Sequence, residues 1–260
     1  MASLTFTRES FGTLELLCSR GIYSLYRMDD TTLVKTFKTN LLELNLLKMR
    51  IEYYLEHQHE YLLNIEDKVF IDDDDNTIFK GYSFHTYGNG TNLRNYFSRL
   101  PFDEKIQLSK KLSMNLKRAH NDGVIVGDVS FDNILTDGTS TKFACVENMG
   151  INGSLPPLMF PYYLDKNTYI PSHMKGTIES DIFLMHKLIF DLFLRGYLNY
   201  DIFMLDINNY IKAIRSLDLP NDVYQAFINL YNIFNDNKLI MYPHEYLDNM
   251  SNYVRSRRRF

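Results

Sequence analysis

The spacing of hydrophobic positions changes character near residue 40. Before it, short apolar and aromatic runs are broken by polar pairs, a β-rich pattern. Residues 11–17, 23–27 and 32–38 read as strands, with Gly21 between the first two and Asp29-Asp30 turning the chain before the third. From 40 to 57 the period becomes helical: Leu41, Leu42, Leu44, Leu46, Leu47, Ile51, Tyr54 and Leu55 recur without Gly or Pro. Residues 68–71 and 77–84 then predict a hairpin across 72–76. The aspartates of that turn lack the closing Glu of a calcium loop, because Phe84 stands in its place, so the turn reads as solvated.

Residues 85–92, with Gly88 and Gly90, read as a linker, after which helical spacing dominates. A short helix is expected over 92–100 and a long one over 103–121, with Ile106, Leu108, Leu112, Leu116 and Ala119 facing inward and Pro101 ahead of its start. Residues 124–141 read as short extended pieces and turns. Residues 148–176, with Pro156, Pro157, Pro161 and Pro171, read as loop. Residues 180–198 predict a strongly apolar helix, followed by helices around 205–216, 220–234 and 243–254 and a frayed basic tail. The pattern divides into a β-rich part, 1–87, and a mainly helical part, 88–260.

Composition narrows the function classes. The chain has 260 residues, 45% of them hydrophobic and 23% charged, enough for a full core. Its Tyr and Phe are spread along the whole length and read as core filler. A net charge of -4 argues against nucleic acid as the main partner. Cys18 and Cys145 make neither a disulfide framework nor a metal spacing, which suits a reducing compartment. No stretch reads as a signal peptide or reaches the roughly 18 apolar residues of a membrane span. A cytoplasmic protein with no membrane association is therefore expected. The scattered histidines give no zinc-enzyme pair. Nothing in the pattern sets an oligomeric state.

The strongest chemical signal is His120-Asn121-Asp122-Gly123-Val124-Ile125-Val126-Gly127-Asp128-Val129-Ser130-Phe131-Asp132-Asn133-Ile134-Leu135. A carboxylate and a carboxamide five residues apart can respectively accept the proton of an attacking hydroxyl and hold a magnesium ion. The segment resembles the catalytic loop of protein kinases, in which a helix ends in His, a Gly follows, and an Asp precedes an Asn by five positions. Other features fall in the same order. Val34-Lys35 resembles the strand lysine that contacts the α- and β-phosphates of ATP. Tyr87-Gly88-Asn89-Gly90-Thr91-Asn92-Leu93 is similar to the linker that meets adenine. Glu179-Ser180-Asp181-Ile182-Phe183 looks like the start of a central buried helix whose Asp accepts hydrogen bonds from the catalytic-loop backbone. For Ser180 and Asp181, N-terminal capping is the plain alternative.

The resemblance implies an α+β, bilobal protein-kinase-like fold: a small antiparallel β lobe with one helix and a larger, mainly helical lobe. It implies ATP and magnesium as cofactors and a protein substrate or protein partner. Asp128 and Lys35 would carry catalysis. Gly21, Lys35, Glu52, Tyr87 and Gly88 would bind nucleotide, and Asn133 and Glu147 would hold metal. Glu52 has the best spacing to pair with Lys35; Glu56 and Glu43 are alternatives.

The chain also departs from the family. Ser19-Arg20-Gly21-Ile22-Tyr23-Ser24 keeps one glycine where the phosphate loop has two or three. Val126-Gly127 replaces the usual His-Arg, and Ser130 and Asp132 stand where a cation is common. In Phe143-Ala144-Cys145-Val146-Glu147-Asn148, either Cys145 or Glu147 aligns with the second metal-binding aspartate, and only the carboxylate suits magnesium. Three functions follow: a divergent Ser/Thr-type protein kinase, a pseudokinase scaffold, or a small-molecule phosphotransferase. The start of the 180–198 helix and the Pro-rich stretch before it fit the protein-directed forms better.

Overall fold

The computed structural model describes residues 3–38, 41–73, 76–87, 91–151 and 176–194, together with 212, 215–216, 221, 224, 242–245 and 247. The fold is mixed α+β, and its main sheet is mostly antiparallel. Contacts divide the chain into two compact units: Met1–Gly90 with Ala144–Glu147, and Thr91–Phe143 with Asn148–Phe260.

The first unit is built on six strands. β1 (Ser3–Thr7) leads into a short helix α1 (Arg8–Gly12), whose first turn is capped by Thr7 Oγ1 accepting from the Ser10 N–H at 3.1 Å. β2 (Glu15–Arg20) and β3 (Tyr23–Arg27) form a hairpin in which Gly21 takes φ +51°. β4 (Thr32–Phe37) follows a turn closed by Asp29, whose Oδ1 accepts from the N–H groups of Thr31 and Thr32, each at 2.8 Å. The helix α2 (Leu41–Glu56) then buries Leu44, Leu47, Ile51 and Tyr54. β5 (Ile65–Asp73) and β6 (Asn76–His85) complete the sheet in the order β1-β5-β6-β4-β3-β2.

Two expectations need correction here. Residues 11–17 do not form one strand: the Thr7 cap commits 8–12 to helix, and the ladder with β3 begins only at Glu15. β1 was not anticipated. It is a parallel edge, Ser3 opposite Lys68 through Thr7 opposite Asp72, and so depends on a partner distant in sequence.

The second unit opens with β7 (Thr91–Asn92), α3 (Leu93–Ser98) and α4 (Phe102–Asn121). Leu108, Leu112, Leu116 and Ala119 of α4 are buried, as the helical spacing requires. β8 (Val124–Ile125), β9 (Ile134–Thr136) and β10 (Thr141–Phe143) are the short extended pieces, and β11 (Gly150–Ile151) pairs with β8. α5 (Ile178–Leu194) begins with a reciprocal cap: the Thr177 N–H donates to Ser180 Oγ at 3.0 Å, and the Ser180 N–H donates to Thr177 Oγ1 at 3.2 Å. The expected loop over 152–175, the end of the apolar helix beyond 194, most of the three later helices and the basic tail lie outside the described residues.

Candidate functional site

In the first unit the chemistry gathers around Lys35. β4 places it opposite Tyr82 of β6 and Leu25 of β3, in the middle of the sheet. The residue is 7% exposed. Its Nζ donates to Glu147 Oε1 at 2.5 Å and lies 3.7 Å from Cys145 Sγ and 4.5 Å from the centre of the Tyr23 ring. Tyr82 donates its hydroxyl to the other carboxylate oxygen, Glu147 Oε2, at 2.7 Å. Glu147 is 4% exposed, so both of its oxygens are engaged in a buried cluster.

A buried carboxylate is costly unless paired and hydrogen-bonded. Lys35 and Tyr82 meet that requirement together. Burial alone pushes the Lys35 ammonium down, but Cys145 and Glu147, then Tyr23, outweigh it and hold its pKa above the usual lysine value. Burial first, and Glu147 next, raise the Tyr82 phenol well above its ordinary range, which keeps it a donor.

The structure therefore gives Lys35 a different acidic partner from the one expected. Glu52 instead pairs with Lys68 of β5 at 2.7 Å, because its place on α2 turns it toward that strand. Gly21 sits at the β2–β3 turn with open space around it. Tyr87 is half-buried just past β6, and Gly88 lies outside the described residues. Tyr82 was missed by the sequence reading; its cross-strand register opposite Lys35 is the signal that locates it.

In the second unit the loop between β8 and β9 is held from α5. Asp181 Oδ2 accepts from the Val126 N–H at 2.6 Å, and Asp181 Oδ1 accepts from the Gly127 N–H at 2.8 Å. The expectation that Asp181 takes backbone hydrogen bonds from this loop is met; the capping falls to Thr177 and Ser180. Gly127 takes φ +74°, a left-handed conformation that a side chain would strain, which accounts for glycine before Asp128. Asp128 is half-buried and Asn133 buried. Asn133 donates from Nδ2 to the Asp128 carbonyl at 3.2 Å, and of its two amide atoms the oxygen is the type a hard cation takes.

Behind the loop, His120 at the end of α4 lies between two partners. Its Nε2 is 3.1 Å from Asp181 Oδ2 and its Nδ1 is 2.7 Å from the Tyr242 hydroxyl. Ser113, fully buried in α4, is 2.9 Å from His244 Nδ1 and accepts from the His244 N–H at 3.0 Å. The sequence marks His120 only as the first residue of the catalytic-loop-like segment and gives no sign of Tyr242, 122 positions away.

For magnesium, the carboxamide oxygen of Asn133 and the half-buried Asp128 fit a hard cation by type, whereas both oxygens of Glu147 are already engaged. Among the described residues, no three or more His, Cys, Asp or Glu side chains gather as a metal set would. Compared with known proteins, the chain matches no protein-family model and no curated protein.

Proposed function

We propose that the chain is a divergent protein-kinase-like domain that transfers the γ-phosphoryl group of ATP to a protein hydroxyl. The observation that carries this reading is the two-pronged hold of Asp181 on the Val126 and Gly127 amides, with Asn133 tied to the Asp128 carbonyl. Such a frame presents one carboxylate and one carboxamide in a fixed relation, and phosphoryl transfer depends mainly on positioning and charge neutralisation. In this reading Asp128 accepts the proton of the attacking hydroxyl. Asn133 offers its amide oxygen to magnesium, which when bound offsets the phosphate charge. Lys35 steadies the nucleotide. Among the described residues no helix is long and apolar enough to cross a membrane.

The test is transfer of labelled γ-phosphate from ATP and magnesium to the chain itself and to a generic basic protein. Asp128→Ala is expected to lower transfer by about 10²- to 10⁴-fold. Equal incorporation by both chains removes the assignment.

One observation favours a second reading, a pseudokinase scaffold that binds nucleotide or protein without transfer. The Lys35–Glu147–Tyr82 cluster is buried and internally satisfied, so Glu147 would have to give up partners to hold metal. A thermal shift with ATP and magnesium, without phosphate incorporation, selects this reading.

A further inference from the structure

The Val126–Asn133 loop is fixed to α5 by Asp181, but Asp181 is itself the middle of a longer chain of hydrogen bonds. A carboxylate oxygen only accepts, so the His120 nitrogen facing Asp181 Oδ2, Nε2, carries the proton and donates it. A neutral imidazole then has its lone pair on Nδ1, and the Tyr242 hydroxyl at 2.7 Å donates to it. The Tyr242 phenol, pushed up to about 12 by burial first and then by Asp181, Glu245 and Glu179, remains protonated in this role.

We propose that Tyr242 is a positioning residue for the Asp128 loop: its hydroxyl selects the His120 tautomer that donates to Asp181, and Asp181 in turn orients the Val126 and Gly127 amides. The inference rests on the phosphotransfer reading for its meaning in catalysis, though not for its geometry. The segment that supplies Tyr242 is itself anchored to α4, through Ser113 with His244 and through Lys117 with Glu245 at 3.7 Å. The arrangement therefore runs from a segment near residue 242, through the end of α4, to the first residues of α5 and the loop. Among the described residues, the ionisable groups around it are Asp181 and Glu179 of α5, Glu245 and His244 beside Tyr242, and Lys117 of α4, whose Nζ lies 5.3 Å from the centre of the Tyr242 ring.

Tyr242→Phe in the full chain keeps the ring and removes the donor. Three readings are taken on parent and variant: the ¹⁵N shifts of the His120 ring across pH, with His120→Gln for assignment; amide exchange at Val126 and Gly127; and phosphoryl transfer. In the parent, the ring ¹⁵N shifts are expected to place the His120 proton on Nε2, facing Asp181. In the variant Nδ1 loses its donor, so the preference for that tautomer is expected to weaken and the two ring ¹⁵N shifts to move toward each other. Exchange at Val126 and Gly127 is expected to quicken by about fivefold, the scale of one hydrogen bond, while slow amides of α2 hold their rates. Any transfer activity is expected to fall in kcat with the KM for ATP unchanged.

Unchanged His120 ring ¹⁵N shifts, which mark an unchanged tautomer, overturn the proposal. So does a changed ring with Val126 and Gly127 exchanging as in the parent, or a uniform rise across α4 and α5, which marks general loosening. If the parent transfers no phosphate, the phosphotransfer reading fails while the ring and exchange measurements still decide the role of Tyr242.

Discussion

Glu147 shows how much one residue depends on its surroundings. Lys35→Met leaves its carboxylate buried with Tyr82 alone, and breaking a buried pair from one side costs about 3–5 kcal/mol. The double variant Lys35→Met, Glu147→Gln is expected to lose less than Lys35→Met, since no charge is stranded; urea unfolding of the two chains measures the difference. Alkali tests the same cluster. Lys35 ordinarily titrates at 10.5 and Tyr82 at 10.0, and both are raised in the fold. Their stabilisation is therefore complete below those values and is lost as pH rises from about 10 toward the folded pKa of each group. The urea midpoint should fall between pH 9 and 11, and more shallowly in the double variant.

At the scale of elements, β4 and β6 approach so closely that Gly81 has no room for a side chain. A Cβ there would collide with the Lys35 carbonyl and crowd the Thr36 Cα. Gly81→Ala is expected to cost about 3 kcal/mol through a forced backbone shift. Gly21→Ala meets open space and bears only the left-handed φ, about 1 kcal/mol. Comparing the two in urea separates packing from backbone strain. In the other unit, Asp181→Ala strips partners from two buried amides and from His120, and a loss of about 2–5 kcal/mol is expected. Exchange at Val126 and Gly127 should quicken more in this variant than in Tyr242→Phe.

Across the molecule, the contacts give the first unit a segment from far along the chain, Ala144–Glu147, whereas the hydrophobic pattern divides the sequence once, between 87 and 88. A fragment of residues 1–90 therefore carries Lys35 without Glu147. In the full chain Lys35→Met is destabilising; in the fragment it is expected to be neutral or stabilising, because an uncompensated buried ammonium is removed. Circular dichroism melts of the four chains check this reversal of sign. Periodicity made α2, α4 and α5 legible because each buries one face at helical spacing, and the resemblance of the Asp128–Asn133 segment and of the 179–183 helix start to protein kinases pointed to the loop and its anchor. The helical faces are local features, so the sequence by itself determined them. Which acid faces Lys35, that Glu52 turns to Lys68, that Tyr82 shares Glu147, that Ser3–Thr7 forms a parallel edge and that Tyr242 meets His120 were decided only by tertiary structure. Each joins groups whose separation along the chain carries no periodic signal, and their pairing follows from which buried charge or donor finds its complement once the sheet and helices have closed around it.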